Sequence, residues 1–359
     1  MIRVLHVLGG LGSGGAESFI MNMYRAIDRE KIQFDFLIRG AEIPGLVEEI
    51  EQLGGRIYRT ASFPRHFLKN YVQTRQFFRA HREYQVIHVH ANSLLYMLPL
   101  RLACKFQIPC RIVHSHSVQT SVPAAKGVHL HNKKRIDKIV TKQLACSKAA
   151  GQWMFSSEKY EVIPNGIDFG RFSYNSAKRE SLRAELFLDH RVVIGHVGRF
   201  VNEKNHEFVI KVFEEYLKQD PNAVLLLIGD GEKREHIHQF VCKKGLEDRV
   251  IFTGEVTNVE EYYSAMDVFL FPSLYEGLGI VLIEAQSQGL PCVISERIPS
   301  EVVINDNCTA LSLNADISVW TDALAKANRI EAISPKMQEY DSCVSAAKLA
   351  QIYLQEEKI

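Results

Sequence analysis

The stretch Val224-Leu-Leu-Leu-Ile228-Gly229-Asp230-Gly231 decides how this chain folds. Its five consecutive apolar residues leave no polar face. A strand of that kind is buried on both sides, as in a parallel sheet covered by helices. Gly229-Asp230-Gly231 then ends it with turn-forming residues. Working outward, the same pattern recurs at Val192–Val197, Val250–Thr253, Val268–Phe271 and Cys292–Ile294. It recurs again in the first half at Ile2–Leu8, Phe34–Ile38, Val86–His90, Ile112–Ser115 and Gln143–Cys146. A helical pattern follows each run. Alternating β and α predicts an α/β protein with a doubly wound sheet in each half. Val162-Ile-Pro-Asn-Gly-Ile-Asp168, with its Pro and Asn-Gly turn signals, marks the boundary. The expectation is one domain over 1–168 and a second over 169–335, opened by a helix at about 176–187 and followed by a terminal helix over roughly 336–356.

Length and composition agree with two domains. The chain has 359 residues, 46% hydrophobic and 24% charged. These values exclude disorder, collagen and coiled coil, and no run of 18 apolar residues is present to span a bilayer. The start, MIRVLHVLGG, predicts a first strand, not a signal peptide. Seven scattered cysteines without a C-x-x-C pair predict free thiols and a cytoplasmic location. Charge is uneven. Residues 1–168 carry 23 Lys+Arg against 13 Asp+Glu, and residues 169–359 carry 20 against 29. A basic first half suits an anionic partner. Within it, Arg56, Arg59, Arg65, Lys69, Arg75, Arg79 and Arg82 alternate with Phe63, Phe67, Tyr71, Phe77 and Phe78, and Lys133, Lys134, Arg135, Lys138 and Lys142 form a second cluster. The pattern suits contact with an anionic membrane surface, or a solvated helix with core-facing aromatics. No nucleic-acid fold signature accompanies it, so nucleic acid is not an expected partner.

Open α/β sheets bind ligands beyond the carboxyl ends of their strands. After the first strand comes Gly9-Gly10-Leu11-Gly12-Ser13-Gly14-Gly15-Ala16-Glu17. Glycines there let a diphosphate approach the backbone at a helix N-terminus. Gly10-x-Gly12-x-x-Gly15 matches the dinucleotide pattern, but the second strand ends in Arg39 where a ribose-binding acid is needed. Nicotinamide binding is therefore not expected. In the second half, Gly198-Arg199-Phe200-Val201-Asn202-Glu203-Lys204 follows a strand. Arg199 and Lys204 can converge on one anion, the first as a fork and the second as a point charge. Further on, Phe271-Pro-Ser-Leu-Tyr-Glu276-Gly277-Leu278-Gly279-Ile280-Val-Leu-Ile-Glu284 ends a strand and opens a helix. The N–H groups of Gly277 to Ile280 offer a second anion site. At about 100° per residue, Glu276 and Glu284 fall on similar sides of a helix.

These stretches, with Gly14-Gly15-Ala16-Glu17 and Val162–Asp168, resemble the retaining glycosyltransferases of family 4 (group 1), which have the GT-B architecture of two facing Rossmann-like domains around a cleft. His88-Val-His90, His114-Ser-His116 and Ala145-Cys146-Ser147-Lys148 look most like the exopolysaccharide and capsule members. The resemblance implies a sugar moved from a nucleoside diphosphate sugar, UDP favoured, to a saccharide or lipid-diphosphate-linked acceptor, by front-face substitution and without a metal or other cofactor. It implies that Gly14, Gly15, Arg199 and Lys204 hold the diphosphate. Glu276 would contact the sugar, with Gly277, Leu278, Gly279 and Ile280. Glu284 would bind the ribose, and the loop from Phe252 to Val256 would cover the base. His116 would hydrogen-bond the donor sugar or orient the acceptor. The C-terminal helix would return to the first domain.

Rival readings remain open. The pairs His88/His90, His114/His116, His129/His131 and His236/His238 are H-x-H, and on a strand such a pair shares a face and can bind zinc. A metallohydrolase is the rival on histidines alone. No Asp-x-Asp is present to hold a divalent ion on a diphosphate. A sugar-nucleotide epimerase or hydrolase on a similar scaffold is a second rival, and a catalytically silent nucleotide-sugar-binding protein is a third.

Overall fold

The structure is a computed structural model that describes residues 1–12, 14–119 and 123–355. It contains two units, Met1–Gly166 with Glu339–Ile359, and Ile167–Gln338. The first is built on seven parallel strands, β1 (Ile2–Val7), β2 (Ile32–Ile38), β3 (Ile57–Arg59), β4 (Val86–Ala91), β5 (Cys110–Ser115), β6 (Lys142–Ala145) and β7 (Glu161–Val162). Their order across the sheet is β3-β2-β1-β4-β5-β6-β7. The second unit holds β8 (Val193–Val197), β9 (Val224–Ile228), β10 (Val250–Gly254), β11 (Val268–Phe271), β12 (Cys292–Ser295) and β13 (Cys308–Leu311), in the order β10-β9-β8-β11-β12-β13. Every strand pair is parallel. In each sheet the order reverses beside the first strand, which is the switch point where α/β sheets receive ligands.

The apolar runs become the interior. All five residues of β9 are buried, as are all seven of β2. Each fully buried Leu or Ile stabilises the fold by about 1.5–3 kcal/mol relative to exposure. One acid sits inside β2, and its neighbours explain why. Asp35 accepts both arms of the Arg3 guanidinium at 2.6 and 2.5 Å, the Tyr84 hydroxyl at 2.8 Å and the Arg56 backbone N–H at 2.8 Å. It is thereby committed to structure.

Three strands lie outside the sequence expectations: β3, β7 and β13. All are at sheet edges, where one side lacks a neighbour and the two-sided apolar signature is lost. Their residues are partly exposed. The terminal segment also differs. A 3-10 turn covers Pro335–Tyr340 and the helix is Ser342–Gln355, because the Asp341 carboxylate accepts the Cys343 N–H at 2.7 Å and starts a new helix there. Ala346, Leu349, Ile352 and Tyr353 of that helix enter the same core as Phe19, Tyr24 and Phe34 of the first unit. Expectations for Ser13 and for Glu356 to Ile359 fall outside the described residues.

Candidate active site

The second unit concentrates charge at the carboxyl ends of β8 and β11, which are hydrogen-bonded neighbours. The loop after β8 is anchored at both ends of Arg199. Gly198 N–H donates to Ile228 O at 3.0 Å and Phe200 N–H to Asp230 O at 2.9 Å. Gly229 has φ +127°, and a Cβ there would lie 2.3 Å from Gly198 O, so only glycine allows the two loops to touch. The Arg199 side chain is exposed, and its guanidinium has no ion-pair partner among the described residues.

The β8 and β11 loops are then stitched together. Leu274 N–H donates to Glu203 O at 2.8 Å, the Tyr275 hydroxyl to the Glu203 carboxylate at 2.6 Å, and the Asn205 amide to Pro272 O at 3.1 Å. Asn205 takes a left-handed conformation, φ 57°, which Asn tolerates better than most residues. These ties bring Lys204 Nζ to 2.6 Å from Glu276 Oε1, with both side chains mostly buried. The Lys204 ammonium also lies 4.8 Å from the Phe271 ring centroid. The helix after β11 begins at Ile280, with Gly279 at φ 88° as its N-cap and no side chain capping it. Its first N–H groups face outward from the helix end, and the dipole favours an anion there. Glu276 therefore lies four residues before the helix. The 100° spacing argument does not govern its direction; the Lys204 pair does.

Glu284 is inside that helix and almost fully buried. The Tyr263 hydroxyl donates to its Oε2 at 2.9 Å. Burial pushes the Glu284 carboxyl up to about 7, while the Tyr263 hydrogen bond and the nearby cations Arg171 and Lys204 pull the other way. Phe252, at the start of the loop that the resemblance implies over the base, lies in β10. Its ring packs against Phe200 and His238, with centroids at 6.1 and 5.4 Å, as part of the core rim. Val256 follows β10 and is half-buried.

In the first unit, Gly14 is the N-cap of helix Gly15–Ala26 and has no side-chain cap. Gly10 and Gly40 serve packing: a Cβ on either would lie within 2.5 Å of a carbonyl of the facing loop. The strand-end histidines form an array. Register sets His6 beside His88 and His90 beside His114. His6 Nδ1 is 3.0 Å from His90 Nε2, and His90 Nδ1 is 2.9 Å from His116 Nε2. His88 bridges the Tyr353 hydroxyl (2.6 Å) and His114 Nδ1 (3.3 Å). Burial lowers the pKa of all five rings: His116 falls to about 3 and His6, His88, His90 and His114 fall well below 6.5, so every ring is neutral. Ring nitrogens of His6, His88 and His90, and of His90, His114 and His116, lie within 4.8 Å of one another. The other pairs separate. His129 accepts the Leu94 N–H, faces Trp153 O and stacks on the Trp153 ring, while His236 pairs with Glu207 on the surface. His6 and Tyr353 are the members that sequence reading missed. A lone histidine in β1 on the same strand face was the available signal for the first, and nothing local marks the second.

Two family models match, Glycosyltransferase Family 4 over residues 13–171 and Glycosyl transferases group 1 over residues 178–343. The chain is 35% identical over 347 residues to EpsF of Bacillus subtilis (strain 168), named as a glycosyltransferase, covering 90% of this chain and 87% of that one. It is 25% identical over 344 residues to the capsular polysaccharide biosynthesis glycosyltransferase CapH of Staphylococcus aureus, covering 91% and 90%. Among solved structures, Anabaena HepE in complex with UDP and glucose superposes with a TM-score of 0.83 at 18% identity, over 99% of this chain and 100% of that one. The fold is thus the two-domain GT-B fold, and the chain belongs to the group 1, family 4 glycosyltransferases.

Proposed function

We propose that the protein transfers a sugar, with retention, from a UDP-sugar to a saccharide or lipid-diphosphate-linked acceptor in the synthesis of a cell-surface polysaccharide, without a metal ion. The observation that carries this reading is the Lys204–Glu276 pair at the ends of β8 and β11, next to an uncapped helix N-terminus, with Arg199 in the same β8 loop. Cleavage of the C1–O bond leaves negative charge on the diphosphate. The paired Lys204, the exposed Arg199 guanidinium in the same loop and a helix dipole complement that charge, and preorganised charge is usually the largest catalytic contribution. Glu276, oriented by Lys204, accepts sugar hydroxyls. Glu284 accepts ribose hydroxyls, and backbone from Phe252 to Val256 borders the base. The acceptor oxygen bonds to C1 on the face the diphosphate leaves, and the acceptor proton passes to the departing phosphate oxygen. The UDP of the HepE complex and the capsular role in CapH's name support this choice of donor and pathway.

Thermal unfolding with UDP, GDP and ADP, with and without Mg²⁺ and EDTA, tests it. A ligand at 100 times its Kd stabilises a fold by about 2.7 kcal/mol. Stabilisation by UDP alone, indifferent to EDTA, is the expected outcome. Stabilisation only with Mg²⁺ would remove the metal-free mechanism, and no shift with any nucleotide would remove the clamp. Sugar release from donor in the absence of acceptor would favour a hydrolase.

A membrane contact forms part of the proposal. On helix Phe67–Ala80, Phe67, Leu68, Tyr71 and Val72 are exposed beside Arg65, Lys69, Arg75 and Arg79. An apolar patch ringed by cations suits an anionic lipid surface. Phe77 and Phe78, by contrast, are core residues. Among the described residues, no helix is long and apolar enough to cross a membrane.

A further inference from the structure

We propose that His6 and His90 are positioning residues which, through a chain of three imidazoles, hold His116 as a neutral Nδ1–H donor. The inference rests on the transferase reading above together with the expectation, implied by the family resemblance, that His116 meets a sugar hydroxyl. A neutral imidazole has one N–H and one lone pair. Two contacts join the three rings, His6 Nδ1 to His90 Nε2 at 3.0 Å and His90 Nδ1 to His116 Nε2 at 2.9 Å. Three N–H groups must therefore fill two links, and one is left over. Only two arrangements keep both links. In the first, every ring carries its proton on Nδ1: His6 donates to His90, His90 donates to His116, and the spare N–H is at His116 Nδ1. In the second, every ring carries it on Nε2, the donations reverse, and the spare N–H is at His6 Nε2.

The two ends of the chain decide between them. His6 Nε2 and His116 Nδ1 are both buried without a hydrogen-bond partner. The His6 ring is wedged in the core, 4.1 Å from the Phe34 centroid and 5.9 Å from Phe36. An orphaned N–H is tolerated less well than a bare lone pair in such surroundings. His116 stands at the end of β5, followed by the polar turn Ser117 to Gln119. The spare N–H therefore belongs at His116. It is a donor there, not a base. A sugar oxygen reaching it satisfies the one donor the chain leaves over, and the same contact locks all three tautomers.

The spacing also separates this chain from a metal site. An ion about 2.1 Å from each imidazole nitrogen would need an angle near 90° to fit nitrogens 2.9 or 3.0 Å apart, well short of tetrahedral. A shared proton fits that distance directly. The second chain, Tyr353 to His88 to His114, runs alongside and stacks on the first, as in the 4.2 Å contact of His88 with His90.

The experiment is two-bond ¹H–¹⁵N spectroscopy of the full chain labelled with ring-¹⁵N histidine, in which the two ring nitrogens report the tautomer. His6, His90 and His116 are expected to show Nδ1–H throughout pH 6–8, unchanged by EDTA. In His6→Leu the first donor is gone, so the His116 signal should shift toward a mixture of tautomers. With donor KM unchanged, kcat should fall about tenfold, the loss of one hydrogen bond's worth of alignment. His6→Asn, whose amide can donate from the Nδ1 position, should restore both. An Nε2–H or charged His116 in the wild type overturns the proposal without any variant having to fold. So do ring signals that move with EDTA, or a His6→Leu protein with unaltered tautomer and rate. Nδ1–H signals as expected, together with full transfer activity in His116→Ala, would instead uphold the chain and remove the sugar contact of His116.

Discussion

At the residue scale, the clamp depends on one ammonium. Lys204 balances Glu276 at 2.6 Å in a mostly dry site, so its removal leaves a carboxylate unpaired where, on the proposed reading, the diphosphate charge develops. Lys204→Ala should lower turnover at least about 100-fold in a donor-consumption assay. A near wild-type rate would take Lys204 out of the mechanism. Glu284 makes a different prediction. Its carboxyl is raised to about 7, and in the proposed ribose contact two hydroxyls donating to one carboxyl favour its ionised form, the better acceptor. On that reading, binding at pH below 7 releases a proton. UDP affinity by calorimetry should therefore weaken about tenfold from pH 8 to pH 6 beyond any change seen with Glu284→Gln. The sign for stability is the reverse of an ordinary carboxylate. The raised group favours the fold below its unfolded value of 4.5, and that contribution is lost as pH rises through about 7. Equal pH dependence in wild type and Glu284→Gln would mean that this carboxyl does not meet the ribose.

At the element scale, what places the site is the contact between loops of neighbouring strands. Gly229 and Gly231, at φ +127° and +156°, bring the turn after β9 against Gly198 and Phe200. Gly229→Ala combines a strained backbone with a Cβ 2.3 Å from a carbonyl oxygen that cannot swing away. It should destabilise the second unit by about 2–4 kcal/mol and lower its Tm by calorimetry. An unchanged Tm would show that the β8 loop has room to yield. Helix Phe67–Ala80 offers a separate test. Wild-type protein should sediment with anionic vesicles at low salt, and Leu68→Asp should remain in the supernatant at the same Tm. Sedimentation independent of lipid charge, or unaffected by the substitution, would set the exposed face aside as a lipid contact.

At the scale of the whole molecule, buried neutral imidazoles make the two units unequal toward acid. His6, His88, His90, His114, His116 and His129 in the first unit have lowered pKa values. In the second unit, burial takes His196 to about 4 and His206 to about 2. Unfolded, each titrates near 6.5. Above that pH neither state is protonated and the fold keeps its stability. As pH falls below 6.5 toward the folded values, the unfolded chain binds the protons, and each ring costs about 1.4 kcal/mol per pH unit. The first unit should therefore lose structure at higher pH than the second, in two steps resolved by calorimetry between about pH 6.5 and 4. A second unit that melts first would contradict this.

How much of this was legible beforehand follows from what is local. The two-sided apolar run at Val224–Ile228 and its repeats specify buried parallel strands, because side-chain period is a property of the chain itself. The glycine loops, Arg199, Lys204, Glu276 and Glu284 stood out in the sequence because α/β sheets receive ligands at the loops after their strands. Edge strands such as Glu161–Val162 were not, because half of their environment is absent and their composition says little. Nothing along the chain marks the partners of Asp35; packing shows it held by Arg3, Tyr84 and a backbone N–H. Lys204 and Glu276 are 72 positions apart, and His88 and Tyr353 are 265 apart. Residue spacing within one segment determined the fold and the chemistry available to it. Which residues touch was decided by strand register across crossovers, since parallel strands are aligned by packing of the intervening helices and not by any spacing written along the chain.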